Sequence, residues 1–276
     1  MRTILEISGP IKTKKTKEVW SAEKNKLGIP DVIYKLELYA EKINRDSTDR
    51  KGFVGELMDA LIDKVMSAKP DQMKDYIEAF IDTGNRKHML FYFHNNFAQK
   101  LAEKYNFAGR IKDYSGDYFH LNNSNFGGLK GNLYVKQKVV QDIQIDSVGK
   151  VTKSVDVTLI NPVKADGWLS SIYLNWMRVY VPKGSTLVSK KVFKDFTSGE
   201  EFNKEVYRGF GPTYPLNSST FNFTYQLPFK INPGENYKML IQKQPGVNEI
   251  EMIIKINGVK KEEFKLTTDK ELSIKL

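Results

Sequence analysis

The chain has 276 residues, 40% hydrophobic and 28% charged, which suits one large folded domain or two smaller ones and excludes a disordered chain. It contains no cysteine, so disulfides, thiol nucleophiles and cysteine-based zinc sites are removed together. The net charge is +10, and most of the excess falls after Asp117, where 22 basic residues face 15 acidic ones.

The absence of cysteine fits a reducing cytosol and equally a bacterial surface protein. No apolar run approaches the roughly 20 residues of a bilayer-spanning helix. The opening MRTILEISGPIKTKK lacks the apolar stretch and small-residue cleavage site of a signal peptide. The positive charge suits an anionic partner, but the lysines are dispersed, which favours a role in solubility. Most stand singly on the polar side of alternating segments, as with Lys136, Lys138 and Lys153.

The first 117 residues read mainly as helix. PDVIYKLELYAEKI places Ile33, Leu36 and Ala40 near one face, with Pro30 in the first turn. Phe53, Val54, Leu57, Leu61, Val65 and Met66 repeat at helical spacing until Pro70. Met73, Ile77 and Phe80 form the stripe of a third helix, with Gly84 suited to its C-terminal cap. KHMLFYFHN suits a buried strand, and NFAQKLAEKYNFAG returns to helix.

Beyond Asp117 the period changes to two. Leu133, Val135, Val139, Ile143 and Ile145 share one parity, and Val151, Val155, Val157 and Leu159 repeat the pattern. Further short segments follow, separated by Pro182-Lys183-Gly184, Asn232-Pro233-Gly234 and Asn257-Gly258. The expected fold class is therefore α+β: a mainly helical region over 1–117, then an antiparallel immunoglobulin-like β-sandwich over 118–276.

Gly127, Gly128 and Gly131 lie at the joint. A phosphate-cradling loop follows a strand and opens a helix, whereas these glycines precede a strand and GxxxxGK[ST] is absent. They read as a tight entry into the sheet. His88, His94 and His120 have no metal-ligand spacing and read as surface or half-buried residues. Neither HExxH nor GxSxG occurs, and no cofactor, metal or catalytic residue is expected. The triplet Asp82-Thr83-Gly84 falls at a helix end and reads as structural.

Candidate contacts are few. Arg45, Asp49 and Arg50 precede a helix, where such a group could hold a pyrophosphate; the simpler reading is a charged loop in which Ser47, Thr48 or Asp49 caps that helix. Phe221, Phe223 and Tyr225 line one strand face, as a stacking platform or, as expected here, core packing. Trp168 and Trp176, in KADGWLSSIYLNWMR, are the candidate surface-loop ligand contacts.

Several blocks resemble, in order and spacing, the C-terminal half of a bacterial family known as domain of unknown function (DUF) family 4012. They are Asn125, Gly127-Gly128, Lys130 and Asn132; RVYVPKG, with Arg178, Pro182 and Gly184; and Gln242-Lys243-Gln244-Pro245-Gly246. LEISGPI, Leu5 to Ile11, resembles a further phrase of that family. The resemblance implies an extracytoplasmic body that an N-terminal transmembrane helix anchors in longer members. This chain would be the C-terminal part, its first region the remainder of a larger domain. The implied place is the cell surface or the outer face of the cytoplasmic membrane. The sandwich pattern, the missing catalytic constellation and that place together make a non-enzymatic binding or structural role the leading expectation, with an anionic envelope glycopolymer or another surface protein as partner. Nucleic acid is not the expected partner, and the sequence sets no oligomeric state. The alternative is a fragment of a glycopolymer-transferring enzyme, since Arg45–Arg50 before an amphipathic helix resembles the pyrophosphate-gripping region of LytR–CpsA–Psr ligases.

Overall fold

The computed structural model describes every residue except Arg45, Gly128 and Val192. Its contacts divide at Gly84/Asn85, giving the units Met1–Gly84 and Asn85–Leu276. That division falls ahead of Asp117, because the irregular segment before the first long strand packs with the sheets.

The first unit contains α1 (Arg2–Ser8), a two-residue hairpin of β1 (Ile11–Lys12) and β2 (Val19–Trp20), and α2 (Asp31–Leu38), which continues as a π-helical turn over Tyr39–Ile43. α3 (Gly52–Met66) and α4 (Pro70–Asn85) follow. Helical spacing brings Phe53, Leu57 and Leu61 of α3 onto Leu5, Ile11, Trp20 and Val32. The Trp20 ring stacks on Phe53 with centroids 6.2 Å apart, and its Nε1 donates to Thr13 Oγ1 at 3.2 Å. α4 departs from its expected stripe: Tyr76 is its buried large side chain, while Ile77 and Phe80 are exposed. Gly84 lies inside this helix rather than capping it.

In the second unit the expected strand at 87–95 is instead irregular chain, leading to α5 (Asn96–Lys104), whose first turn Asn95 caps through Ala98 N at 3.0 Å. The strands are β3 (Asp117–Asn125), β4 (Lys136–Ile145), β5 (Lys150–Asn161), β6 (Tyr173–Pro182), β7 (Thr186–Lys191) and β8 (Lys194–Glu201). They continue with β9 (Lys204–Thr213), β10 (Asn217–Lys230), β11 (Tyr237–Gln242), β12 (Ile250–Ile256), β13 (Val259–Leu266) and β14 (Lys270–Ile274). They form two six-stranded sheets, ordered β13-β12-β4-β5-β10-β7 and β14-β11-β3-β6-β9-β8.

The fold is thus α+β, with two corrections to expectation. α5 belongs to the unit that carries the sheets, so the helices are not all in the first unit. Pairing is not uniformly antiparallel either: β11 runs parallel to β3, and β12 parallel to β4. These partners are distant in sequence, so no hairpin dictates their relative direction.

Period-two alternation sets the core. Val139 and Ile143 of β4, Val155 and Val157 of β5, and Phe221, Phe223 and Tyr225 of β10 meet Phe119, Met177 and Ile241 from the other sheet in one cluster. The aromatic stripe therefore packs inside. Gly209 and Gly211 of β9 leave the space that the rings of Phe193 and Phe221 occupy, where a Cβ would collide. Lys153 corrects the sequence reading: it shares parity with Val151 and Val155 and is fully buried. At the outer edges β7 and β13 expose Lys190, Lys191, Lys260 and Lys261, which discourage edge-to-edge pairing. Asn257 and Gly258, with φ of 49° and 79°, make the tight β12–β13 turn.

Candidate functional site

The second unit gathers its polar chemistry in three places. The first lies on the outer face of the sheet containing β3, where Tyr118, Tyr180, Val206 and Leu240 are covered by Ile111 and Tyr114. Gln242, at the end of β11, makes three hydrogen bonds there through its side-chain amide. Its Oε1 accepts from Tyr118 Oη at 2.7 Å and Lys112 N at 3.0 Å, and its Nε2 donates to the Arg110 carbonyl at 2.8 Å.

Asp269 sits beside this amide. Its carboxylate pairs with Lys87 Nζ at 2.7 Å and Lys112 Nζ at 3.0 Å, and accepts from Lys243 N at 2.8 Å and Asn106 Nδ2 at 2.9 Å. Burial acts to raise its pKa, but the lysines outweigh that and hold it below the usual carboxylate range. Burial lowers Lys87 against the pull of Asp269. Burial, then the neighbouring Lys87 and Arg86, brings Lys243 down to about 8. The Lys243 Nζ donates to the Arg86 and Gln244 carbonyls at 2.8 and 3.1 Å. His120, expected at or near the surface, is 3% exposed; its Nδ1 lies 2.8 Å from the Gln242 carbonyl and so donates to it. Burial pushes this imidazole down to about 4 despite that bond, which leaves it neutral at physiological pH.

The second place is between the sheets. Asp117 opens β3 and Lys153 lies in β5 of the opposite sheet; both are 0% exposed, with Nζ 2.5 Å from Oδ2. Tyr237 Oη donates to the same Oδ2 at 2.6 Å, and the Phe119 ring centre lies 5.4 Å from Nζ. Burial lowers the Lys153 pKa against the pull of Asp117, and burial raises the Tyr225 and Tyr237 hydroxyls well above 10. Asp117 Oδ1, Tyr225 Oη and both amide atoms of Gln141 have no hydrogen-bond partner among the described residues.

The third is the loop after β5. Asp166 Oδ1 accepts from the backbone N–H groups of Trp168, Leu169 and Ser170 at 2.7–2.8 Å, which presets the half-buried Trp168. Burial opposes these bonds, yet together they hold Asp166 below its ordinary pKa. Trp176 stands in β6 rather than on a loop, paired across the sheet with Ser124 and Phe210.

Arg45, of the candidate anion group, lies outside the described residues. Arg50 turns back on the preceding turn, donating to the Ala40 carbonyl at 2.6 Å and to Glu41 Oε1 at 2.7 Å. Asp49 is exposed, and α3 has Lys51 at its N-cap with no side-chain cap, which corrects the capping expectation. The glycines connect β3 of one sheet to β4 of the other rather than marking the entry from helix to sheet: Gly127 has φ 126° and a 3₁₀ turn spans Gly131–Leu133, including Asn132, while Gly128 is outside the described residues. Asn125 Nδ2 donates to the Leu129 carbonyl at 3.1 Å, next to Lys130. Arg178 lies in β6, Pro182 ends it and Gly184 turns at φ 81°. In the last block Pro245 precedes Gly246, whose N–H reaches the Lys87 carbonyl at 3.1 Å.

Surface depressions are also lined by described residues. One of ≈ 550 Å³ on the first unit is rich in acidic residues, including Glu6, Asp75, Glu78 and Asp82. Another, of ≈ 640 Å³, is bordered by Tyr114, Gly116, Lys238 and Glu271. Among the described residues no three histidine or carboxylate side chains converge as metal ligands, and no helix is long and apolar enough to cross a membrane.

No family model and no curated protein matches the chain. Among solved structures, 52% of this chain is similar to 39% of a substrate-bound variant of an M1 zinc metallopeptidase from Deinococcus radiodurans, at 10% identity and a TM-score of 0.25. The chain thus spans well under half of that protein, and a likeness this weak carries no argument about fold or activity.

Proposed function

We propose that this chain is an extracytoplasmic module of a bacterial cell-envelope or surface protein. In this reading the two sheets form an immunoglobulin-like sandwich that presents loops to a surface partner or an anionic glycopolymer, without catalysis. One observation carries it. The titratable side chains that the fold brings into contact, His120, Asp117, Lys153 and Asp269, are buried and held by protein partners, while His88 and His94 are exposed. An active site needs such groups where substrate reaches them. A binding module needs a rigid body and preset loops, and Asp166 presets the loop of Trp168.

The sequence blocks similar to DUF family 4012 support the surface location. Lysines exposed on β7 and β13 together with a net charge of +10 suit an anionic polymer. The test is co-sedimentation of the full chain with purified bacterial cell walls that retain their anionic glycopolymer. Retention that falls several-fold in Trp168→Ala and weakens with salt is expected. An unretained chain, or one equally retained by walls stripped of glycopolymer, contradicts the polymer reading.

A further inference from the structure

Asp117 and Lys153 bring a carboxyl group and an amine, both without exposure to solvent, into direct contact from opposite sheets. Kept as an ion pair, the two would bear a desolvation cost that a single hydrogen-bonded tyrosine only partly offsets. Tyr225, next to Lys153 in the β5–β10 register, keeps its hydroxyl inside the same core. Burial instead favours the uncharged amine, which is the nucleophilic form.

We propose that Lys153 and Asp117 condense into an intramolecular amide, a covalent cross-link between the two sheets. The Lys153 Nζ–Asp117 Cγ bond forms and the Cγ–Oδ2 bond breaks. Counted from ammonium and carboxylate, Nζ gives up two protons and Oδ2 departs with both as one water. Nothing is oxidised or reduced and no co-reactant is consumed. Tyr237, whose hydroxyl donates to Oδ2 at 2.6 Å, hands its proton to the leaving oxygen and regains one from Nζ. The fixed approach of amine and carboxyl supplies the effective concentration that amide formation lacks in water, and the dry core disfavours hydrolysis of the product. The oxygen that remains is Oδ1, the one without a hydrogen-bond partner among the described residues.

The link depends on the fold of the second unit and not on any ligand, so its test is independent of the function proposed above. Intact mass of the full chain under denaturing conditions is expected to fall one water short of the sequence mass. Protease digestion is expected to yield a branched peptide joining the segments of Asp117 and Lys153. Lys153→Met is expected to restore the full sequence mass, and Tyr237→Phe to leave an unlinked fraction that declines slowly after refolding. A wild-type chain with its full sequence mass overturns the proposal, as does a water loss mapped to other residues. The wild-type measurement decides the matter even if a variant does not fold.

Discussion

Gln244 pairs with Asn123 through both ends of its amide: Nε2 donates to the Asn123 carbonyl and Oε1 accepts from the Asn123 N–H, each at 2.9 Å. A glutamine amide has the donor and acceptor of a peptide group, so this side chain prolongs the parallel β3–β11 ladder past Gln242↔His120. Gln242 plays the matching role toward Arg110 and Lys112.

Removing these amides takes the partners from part-buried backbone groups. Gln244→Ala is expected to cost about 1–3 kcal/mol, and Gln242→Leu at least as much, because it strands Tyr118 Oη as well. Urea denaturation measures both costs. Limited proteolysis of Gln242→Leu is expected to cut first within residues 105–116, the segment this amide holds.

His120 makes stability depend on pH. Its native pKa, about 4, lies below the ordinary 6.5, so the unfolded chain binds more protons between those values. The stabilisation is complete above about pH 6.5 and is lost as pH falls toward 4. Between pH 7 and 5 the loss is about 2 kcal/mol. His120→Gln, compared with wild type by thermal unfolding at both pH values, is expected to show a correspondingly smaller drop.

Gln141 occupies an inward position of β4, fully buried, with neither amide atom hydrogen-bonded among the described residues. Gln141→Leu keeps much of the volume and removes two desolvated polar atoms. It is expected to stabilise the fold by about 1–2 kcal/mol; a destabilised variant in a denaturant melt would contradict the burial described.

Asp166 ties loop order to binding. Asp166→Ala is expected to lower glycopolymer retention as far as Trp168→Ala does, while Asp166→Asn, which keeps the accepting oxygen, retains most of it. Arg45→Ala combined with Arg50→Ala is expected to leave retention unchanged. Loss of binding to a polyprenyl-pyrophosphate analogue in that double variant would favour the glycopolymer-transferase alternative.

The sheets were legible because alternation is a local signal: Val139, Ile143, Val155 and Val157 declare their face by spacing alone. The same spacing placed Lys153 inside, but its charge drew the opposite reading, and only a partner in another sheet explains the burial. Asp269 with Lys87, and His120 with Gln242, join residues more than 100 positions apart, so no local pattern announces them. The last sequence block, Gln242 to Gly246, was visible as a motif; its anchoring of the segment before β3 was not. The segment 87–95 had the composition of a strand, yet Tyr92 is 72% exposed and no strand among the described residues takes it up. The irregular backbone there instead supplies Lys87, with φ 58°, to Asp269.

Whether the buried groups form a closed scaffold or a reachable active site is tested most directly by hydrogen exchange of backbone amides in the native full chain. Slowest exchange in β3 and β5, governed by global unfolding, is the predicted result. Fast, locally gated exchange around Asp117 and Lys153 would contradict it, because the core would then open there without global unfolding.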